Sequence, residues 1–187
     1  MFVRNELKVF QKGRLLLLTG KFGPLIILVV TFFFVRTFLL TPITVSGDSM
    51  YPALQDGDSV VVWRMYPQVG KFDIIVFEMT QETYYVKRVI GKPGQIVRYV
   101  NNQLYIDETP VEEPFLSASV WTEDFSLQDI VGDRFKDRVI PQGYFLVLGD
   151  PRQDTLDSRH FGLIHEEQIL GRALWVQWPL SRFGWVD

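Results

Sequence analysis

The stretch TYYVKRVI, residues 83–90, is the part of the sequence that most strongly decides the fold. Its aromatic and β-branched residues predict a β-strand, and the GKPG cluster at residues 91–94 predicts the turn that ends it. Because alternate residues of a strand share a face, Lys87 points the same way as Tyr85. Both faces of this strand are largely apolar, so we expect Lys87 to be at least half buried. We expect Arg88, on the opposite face, to be the solvated charge.

Short runs of the same kind recur along the chain after residue 40. Clusters of Gly, Pro, Asn and Asp separate them, and Asn101-Asn102 joins two of them in a way that is typical of a β-hairpin. This pattern predicts an all-β domain of antiparallel sheets. A short helix is predicted over His165–Leu170. The predicted strands are 41–45, 60–63, 73–77, 83–90, 96–100, 103–106, 144–148 and 173–178.

An apolar run from about Phe22 to Leu40 precedes this domain and predicts a single transmembrane helix. As a helix it would span roughly 28 Å, close to the thickness of a bilayer's hydrocarbon core. Its one charge, Arg36, lies near the outer end, where the side chain can reach the headgroups. Because basic residues dominate residues 1–21, the positive-inside rule places that segment in the cytoplasm and residues 41–187 outside the cell membrane. The alternative is a cleavable secretory signal peptide, but no small-x-small site follows the run.

The region from about Glu108 to Val139 interrupts the strand pattern. It is rich in Asp and Glu and shows little clear periodicity. Long structureless loops are uncommon in compact domains, so an inserted flap or small subdomain is one interpretation. A long surface loop is the other.

Composition excludes several classes of function. The formal net charge of −3 gives no overall electrostatic case for binding nucleic acid. The absence of cysteine excludes disulfides, thiolate zinc sites and cysteine nucleophiles. At 187 residues, the chain accommodates one membrane segment and one globular domain of ordinary size.

A candidate nucleophile, Ser49, lies in SGDSMYP at residues 46–52, about ten residues beyond the apolar run. A serine hydroxyl is a poor nucleophile until a base takes its proton. Lys87 is the most economical base, provided that it is neutral. The pKa of lysine is ordinarily about 10.4, and burial in an apolar site can lower it by several units. The two residues together therefore predict a Ser-Lys pair.

A third motif, GDPRQDTLDSRHFG at residues 149–162, places many charges and hydroxyls between a predicted strand and a predicted helix. Charges that are buried need partners, and Asp157 with Arg159 is the natural pair. His160 and His165 leave a Ser-His-Asp hydrolase open as an alternative. The expected role of His160 is nevertheless a packed or solvent-facing ring.

At these three motifs the chain resembles type I signal peptidases, the membrane-bound serine proteases that remove signal peptides from exported proteins. Residues 49–52 resemble the family's Ser-Met-x-Pro box, and residues 85–94 resemble its lysine box. Residues 149–162 resemble its Gly-Asp to Asp-Ser-Arg box. Order, spacing and topology agree across nearly the whole chain. The short length and single apolar run are similar to the Gram-positive-type branch of the family.

The resemblance implies a role for each matching residue. Ser49 would be the nucleophile, with its own N–H as one oxyanion donor, and Lys87 would be the general base. Thr155 occupies the position of a family serine and would orient Lys87 through its hydroxyl. Met50 would line the substrate pocket. Oxyanion or structural support would come from Gly47, Asp150, Asp157, Ser158 and Arg159.

The resemblance also implies a substrate and partners. The substrate would be a secretory preprotein with small residues at −3 and −1, bound as an extended strand along a sheet edge. Cleavage would proceed by acyl transfer without a metal or an organic cofactor. Membrane lipids are the other expected partner. Aromatic candidates for lipid contact, for which core packing is the first expectation, are Trp63, Phe77, Trp121 and Trp185.

The chain departs from the family pattern at three positions without losing a catalytic group. Pro151 replaces a frequent Asn, Gly47 stands where some members carry a serine oxyanion donor, and Ala53 replaces a common Thr. Two alternatives stay open, and each has a feature that would distinguish it. The first is a self-cleaving repressor-type Ser-Lys protease, which would not carry a membrane span. A non-catalytic, membrane-anchored assembly module should have lost Ser49 or Lys87.

Overall fold

The computed structural model describes residues 22–64, 68–80, 83–132 and 138–186. The chain divides into two compact units that meet in the sequence between Leu40 and Thr41. The segment 1–21, predicted to be cytoplasmic, lies outside the described residues. Residues 133–137, in the region for which the sequence predicts a flap or loop, also lie outside them.

In the first unit, the described residues form two helical segments. These are α1, Gly23–Phe34, and a π-helical segment, Val35–Leu39. Pro24 lies in the first turn of α1, where its missing N–H removes no helical hydrogen bond. The structure thus divides the helix predicted over 22–40 into two segments and makes Leu40 extended. Within the described ranges, no helix is both long enough and apolar enough to cross a membrane.

From Leu40 onward the described residues contain twelve strands and two short α-helices. The first six strands are β1 (Leu40–Thr44), β2 (Ser59–Trp63), β3 (Ile74–Thr80), β4 (Thr83–Gly91), β5 (Val97–Val100) and β6 (Gln103–Ile106). The others are β7 (Thr109–Val111), β8 (Phe125–Ser126), β9 (Tyr144–Leu148), β10 (Ile164–His165), β11 (Ile169–Trp178) and β12 (Gly184–Trp185). The helices are α2 (Leu127–Val131) and α3 (Ser158–Phe161), and two 3-10 turns cover Glu166–Gln168 and Leu180–Arg182.

The strands form two sheets. The large sheet has the order β1-β2-β11-β3-β4-β9-β10, with β12 beside β11, and the small sheet has the order β7-β6-β5-β8. The pairings from β2 to β10 and all those of the small sheet are antiparallel. The prediction of a mostly antiparallel β domain is therefore confirmed.

The small sheet occupies the region in which the sequence predicts either a flap or a loop. It begins at Val97, well before Glu108, because the hairpin of β5 and β6 supplies its two central strands. Asn101 and Asn102 form the turn of that hairpin with φ values of 51° and 64°. Asparagine tolerates this left-handed backbone, which the tightest hairpin turns require.

The short helix predicted over His165–Leu170 is wrong. His165 pairs with Tyr144 in the sheet, and Ile169 already pairs with Phe77. Only Glu166–Gln168 turn helically, capped when the Gln168 side chain accepts from the His165 N–H at 2.9 Å. The backbone before and after the single turn of Glu166–Gln168 is therefore hydrogen-bonded in the sheet and cannot continue a helix.

Strand β4 changes its neighbour at Arg88, and this change creates space for a site. β3 pairs with β4 from Thr83 to Arg88, whereas β9 pairs with it only from Arg88 to Gly91. Among the described residues, the half of β4 that carries Lys87 therefore has a strand neighbour on one side only. Apolar side chains still bury both faces of the sheet here, including Ile75, which lies opposite Lys87 in register and is fully buried.

The four aromatic side chains considered for lipid contact differ in exposure. Phe77 is fully buried and belongs to the core, and Trp63 is half-buried. Trp121 is 50% exposed and Trp185 is 74% exposed. The first expectation, core packing, is thus correct for Phe77 and wrong for Trp121 and Trp185.

Candidate active site

Ser49 lies in a compact turn between β1 and β2. Gly47 opens this turn with a φ of 83°, a conformation that glycine adopts without strain, and its N–H donates to Asp56 Oδ1 at 2.8 Å. On the other side of Ser49, the Leu54 N–H donates to the Met50 carbonyl at 2.8 Å, and both side chains are buried. The turn is thus anchored before and after the serine. Because Asp56 engages the Gly47 N–H, that group is not free to serve as an oxyanion donor.

Lys87 reaches Ser49 from β4. Its Nζ donates to Ser49 Oγ at 2.6 Å, and the lysine is only 2% exposed. Tyr85, on the same face of the strand, has its ring centroid 5.8 Å from the same nitrogen. Burial lowers the pKa of Lys87 from its ordinary value of 10.5 to about 8, while the negative charges of Asp157 and Asp150 act in the opposite direction. A neutral amine next to the serine hydroxyl is therefore accessible close to physiological pH.

The expectation that Arg88 is solvated is wrong. Its side chain is 1% exposed, and its Nε and Nη2 donate to the two carboxylate oxygens of Asp150 at 2.8 Å each. The Phe115 ring covers this guanidinium at 3.9 Å, so protein replaces water on that face. Asp150 in turn donates its N–H to the Ser49 carbonyl at 3.2 Å. The bidentate pair is thus connected directly to the serine turn.

Thr155 is buried close to the pair but does not make the contact that the family resemblance implies. Its Oγ1 has no hydrogen-bond partner among the described residues, so the expected hydrogen bond to Lys87 is absent. The hydroxyl is packed against the backbone instead. A Cβ built on Gly149 would lie 2.3 Å from Thr155 Oγ1 and 2.7 Å from the Ser49 carbonyl oxygen. Glycine at position 149 is what allows these three residues to pack together.

The end of the third motif is held by a fully buried carboxylate. Asp157 accepts from Arg159 Nε and Nη2 at 2.9 and 2.8 Å, and from the N–H groups of Arg159 and Gly149 at 3.1 and 3.3 Å. Ser158 Oγ accepts from the Val147 N–H at 2.9 Å and ties α3 to β9. The pairing of Asp157 with Arg159 that the sequence suggests is present.

Sequence reasoning missed Arg152, a second buried arginine within the third motif. It is 2% exposed and donates through Nε to the Gly149 carbonyl at 3.0 Å. Its Nη1 donates to Tyr99 Oη at 2.7 Å and its Nη2 is paired with Glu113. Burial raises the pKa of Tyr99 well above its ordinary value, so the hydroxyl remains a donor, and it donates to Glu113 at 2.8 Å. The surplus of charge in the motif was the only signal in the sequence.

Ser49 and Lys87 line one cleft of about 520 Å³. Residues 43–46 and residues 83–87 both contribute to its lining. Met50, which is 1% exposed, contributes to the lining, as do Thr155 and the half-exposed Leu156. The cleft is mostly apolar next to the serine.

Neither histidine is placed to act on the serine. The His160 side chain is 56% exposed, and its Nδ1 lies 3.9 Å from Asp157 Oδ1, beyond hydrogen-bond distance. His165 packs edge-to-face on Tyr144, with ring centroids 4.8 Å apart. Neither residue is among those that line the cleft around Ser49. The geometry thus favours lysine over histidine as the partner of the serine.

Known proteins match most of this chain. Residues 19–178 match the family model described as signal peptidase, peptidase S26. Signal peptidase IB of Staphylococcus aureus is 40% identical over 164 residues, which cover 82% of this chain and 86% of that protein. Signal peptidase I of Bacillus caldolyticus is 37% identical over 174 residues, 88% of this chain and 93% of that protein.

A solved structure is also similar. The crystal structure of a signal peptidase I from Enterococcus faecalis V583 is 31% identical, with a TM-score of 0.49, and covers 56% of this chain and 96% of that one. From the family match and the curated relatives, the chain belongs to the signal peptidase family, peptidase S26, and is a serine peptidase of the type I signal peptidase kind.

Proposed function

We propose that this protein is a membrane-anchored serine endopeptidase that removes N-terminal signal peptides from exported preproteins through a Ser49-Lys87 dyad. One observation carries the proposal. Lys87 Nζ lies 2.6 Å from Ser49 Oγ in a site where burial lowers the pKa of the lysine to about 8. A lysine so placed can take the serine proton near neutral pH.

In the first step, Ser49 Oγ attacks the carbonyl carbon of the scissile peptide bond, and its proton passes to neutral Lys87. The C–N bond then breaks, the lysine returns the proton to the leaving amine, and an acyl-enzyme remains on Ser49. The Ser49 N–H is the first donor to the developing oxyanion. The Gly47 N–H is bonded to Asp56, so the second donor must come from elsewhere.

In the second step, Lys87 takes a proton from water as the water oxygen attacks the acyl carbon. The ester bond to Ser49 Oγ then breaks, Lys87 returns the proton to that oxygen, and the signal peptide leaves with a free carboxyl group. Thr155 has a role in both steps under this proposal. Its buried Oγ1 has no partner among the described residues and lines the same cleft as Lys87, so we assign it the role of orienting the lysine amine during turnover. Asp150, Asp157, Ser158 and Arg159 hold the surrounding backbone through the bonds described above.

The substrate would bind as an added strand. Residues 83–87 of β4 have no strand neighbour on the β9 side among the described residues, and they line the same cleft as Ser49. An extended peptide could satisfy the free backbone groups of this edge. Small residues at −3 and −1 fit a cleft whose lining includes Met50 and Val86. Signal peptides of secretory preproteins meet both requirements.

The membrane anchor under this proposal is the apolar run from Phe22 to Leu40. The exposed apolar side chains of this run support it: between Leu25 and Phe34 their exposed fractions range from 42% to 68%. The positive-inside rule then places residues 1–21 in the cytoplasm and the catalytic domain on the outer side of the cell membrane. A signal peptide in the same membrane would meet the cleft at a high effective concentration.

Cleavage of a purified preprotein in lipid vesicles tests the catalytic part of the proposal. Wild type should cut after a small-x-small sequence, whereas Ser49→Ala and Lys87→Ala should not. Retained activity in Lys87→Ala together with its loss in His160→Ala would assign the base to histidine. Failure of well-folded wild type to cut several preproteins would support a non-catalytic assembly module instead.

Thiol labelling of whole cells tests the membrane topology, and the absence of native cysteine makes the readout unambiguous. A membrane-impermeant maleimide should label Ser119→Cys, in the exposed loop after β7, without disruption of the cells. It should label Asn5→Cys only after permeabilisation. The reverse pattern would overturn the proposed orientation.

A further inference from the structure

The loop of residues 112–124, which joins β7 to β8 in the small sheet, touches both buried arginines near the proposed dyad. Two of its side chains, only two positions apart, make these contacts. Phe115 covers Arg88, and Glu113 pairs with Arg152. Neither arginine belongs to the small sheet, since one follows Lys87 in β4 and the other lies in the third motif.

The first arm, by which we mean the series of contacts that begins at Phe115 and passes through Arg88 and Asp150, leads to Ser49. The Arg88 Cζ lies 3.9 Å from the centroid of the Phe115 ring, and Phe72 packs edge-on against that ring with centroids 4.9 Å apart. Both Asp150 carboxylate oxygens accept from the guanidinium. Because the Asp150 N–H bonds to the Ser49 carbonyl, these contacts connect the Phe115 ring to the turn that carries Ser49.

The second arm leads to the residue before Asp150. Arg152 donates to Glu113, to Tyr99 Oη at 2.7 Å and to Thr122 Oγ1 at 3.1 Å, three groups that all come from the small sheet and its loop. The remaining nitrogen, Nε, donates to the Gly149 carbonyl at 3.0 Å. The two arms therefore hold two consecutive residues, 149 and 150.

From these contacts we infer that Glu113 and Phe115 are positioning residues, which hold Gly149 and Asp150 and thereby set the distance between Ser49 and Lys87. The inference rests on the proposed Ser-Lys reaction. Proton transfer needs the two atoms within about 3.2 Å, and a displacement of about 1 Å can cost on the order of a hundredfold in rate. The small sheet thus acts on the dyad through Gly149 and Asp150.

Four variants of the full chain test this inference in detergent with a preprotein substrate. Glu113→Gln removes the charge opposite Arg152, and Phe115→Leu removes the ring face over Arg88. Both should lower kcat by roughly tenfold or more while KM changes by less than about twofold. Glu112→Gln, at the exposed neighbouring position, should match wild type. Ile106→Val, in the core of the small sheet, should lower Tm without lowering kcat.

Competitive labelling of the Lys87 amine as a function of pH supplies a readout that does not depend on cleavage. Phe115→Leu should raise the pKa of Lys87 toward 10.5, because a looser site admits water, and Phe115→Tyr should restore the wild-type value. The inference is overturned if the Glu113 and Phe115 variants keep the wild-type kcat, or lose no more than Ile106→Val at equal Tm. Unchanged Lys87 labelling in Phe115→Leu also overturns it, even if wild type cleaves no preprotein and the proposed function itself fails. If Glu113→Gln does not fold, the two Phe115 variants decide.

Discussion

The amine of Lys87 donates a hydrogen bond to the hydroxyl of Ser49 at 2.6 Å, across 38 positions of sequence. Two unrelated pieces of local structure create this contact. One is a turn anchored by Gly47 and Leu54, and the other is a strand that loses one neighbour at the position of the lysine. When the lysine is protonated, its amine can only donate in this bond. Catalysis requires the reverse arrangement, with the amine neutral and the hydroxyl donating.

The pH dependence of catalysis should therefore follow the ionisation of Lys87. Because burial lowers the pKa of this amine to about 8, kcat/KM should rise with pH and level off above a midpoint near 8. A series of initial rates from pH 6 to 10 measures the midpoint. A pH profile whose rise is unchanged by substitutions around Lys87 but disappears in His160→Ala would contradict a lysine base.

Stability should also rise with pH as Lys87 loses its charge. The folded-state pKa of Lys87, about 8, lies below its unfolded value of 10.5, so at pH below 8 both states are protonated and the cost of burying the charge is fully present. Between pH 8 and 10.5 the native state releases the proton first, and stability rises by on the order of 3 kcal/mol.

Lys87→Met should therefore be more stable than wild type at pH 7, and this advantage should shrink as pH approaches 10.5. Urea unfolding of both proteins at pH 7 and pH 10 measures the difference, and other titrating groups cancel in the comparison. An advantage that stays constant with pH would show that the lysine is not buried in its charged form.

Gly149 should tolerate no side chain. The Cβ of Gly149→Ala would lie 2.3 Å from Thr155 Oγ1 and 2.7 Å from the Ser49 carbonyl, so one of these groups must move. We expect a loss of about a hundredfold or more in kcat/KM. Gly184→Ala is the matched control, because the nearest atom to its Cβ is 4.0 Å away. Equal activity of the two variants would disprove close packing around residue 149.

The Arg88–Asp150 pair should show the cost of an unpaired buried charge. Asp150→Ala leaves the guanidinium without its carboxylate in a site where both side chains are 1% exposed, and should destabilise the protein by about 3–5 kcal/mol. The double variant Arg88→Met/Asp150→Leu should recover much of that loss. Denaturant unfolding of the single and double variants measures the coupling, and simple additivity would argue against a functional ion pair.

Substitutions at Thr155 can distinguish a structural role of its hydroxyl from a role in orienting Lys87. Since its buried hydroxyl has no partner, Thr155→Val should leave stability unchanged or raise it by about 1–3 kcal/mol. If the hydroxyl orients Lys87 during turnover, the same variant should lower kcat by roughly tenfold or more, whereas Thr155→Ser should keep it. A fully active Thr155→Val would remove this residue from the proposed mechanism.

Local pattern was enough to predict those elements in which local and long-range preferences agree. The β4 strand, the Asn101-Asn102 hairpin and the burial of Lys87 all follow from alternation and turn chemistry. The segment after His165 could not be predicted in the same way, because the partners of its backbone lie in β9 and β3.

Charges were harder to place than apolar residues. The sequence shows Arg88 as one charge in an apolar strand, but its burial depends on Asp150 and on Phe115, which come from two distant segments. Arg152 depends in the same way on Glu113. A charged side chain can be buried only where the fold brings a partner next to it. The sequence does not show which residues the fold brings together.

The most direct test of the Ser49-Lys87 account is mass spectrometry of the enzyme, acid-quenched during turnover of a preprotein. The account predicts a mass increase equal to the signal peptide less one water, mapped to Ser49 and absent in Ser49→Ala and Lys87→Ala. An adduct on any other residue, or turnover without an adduct at Ser49 under conditions that slow deacylation, would contradict it.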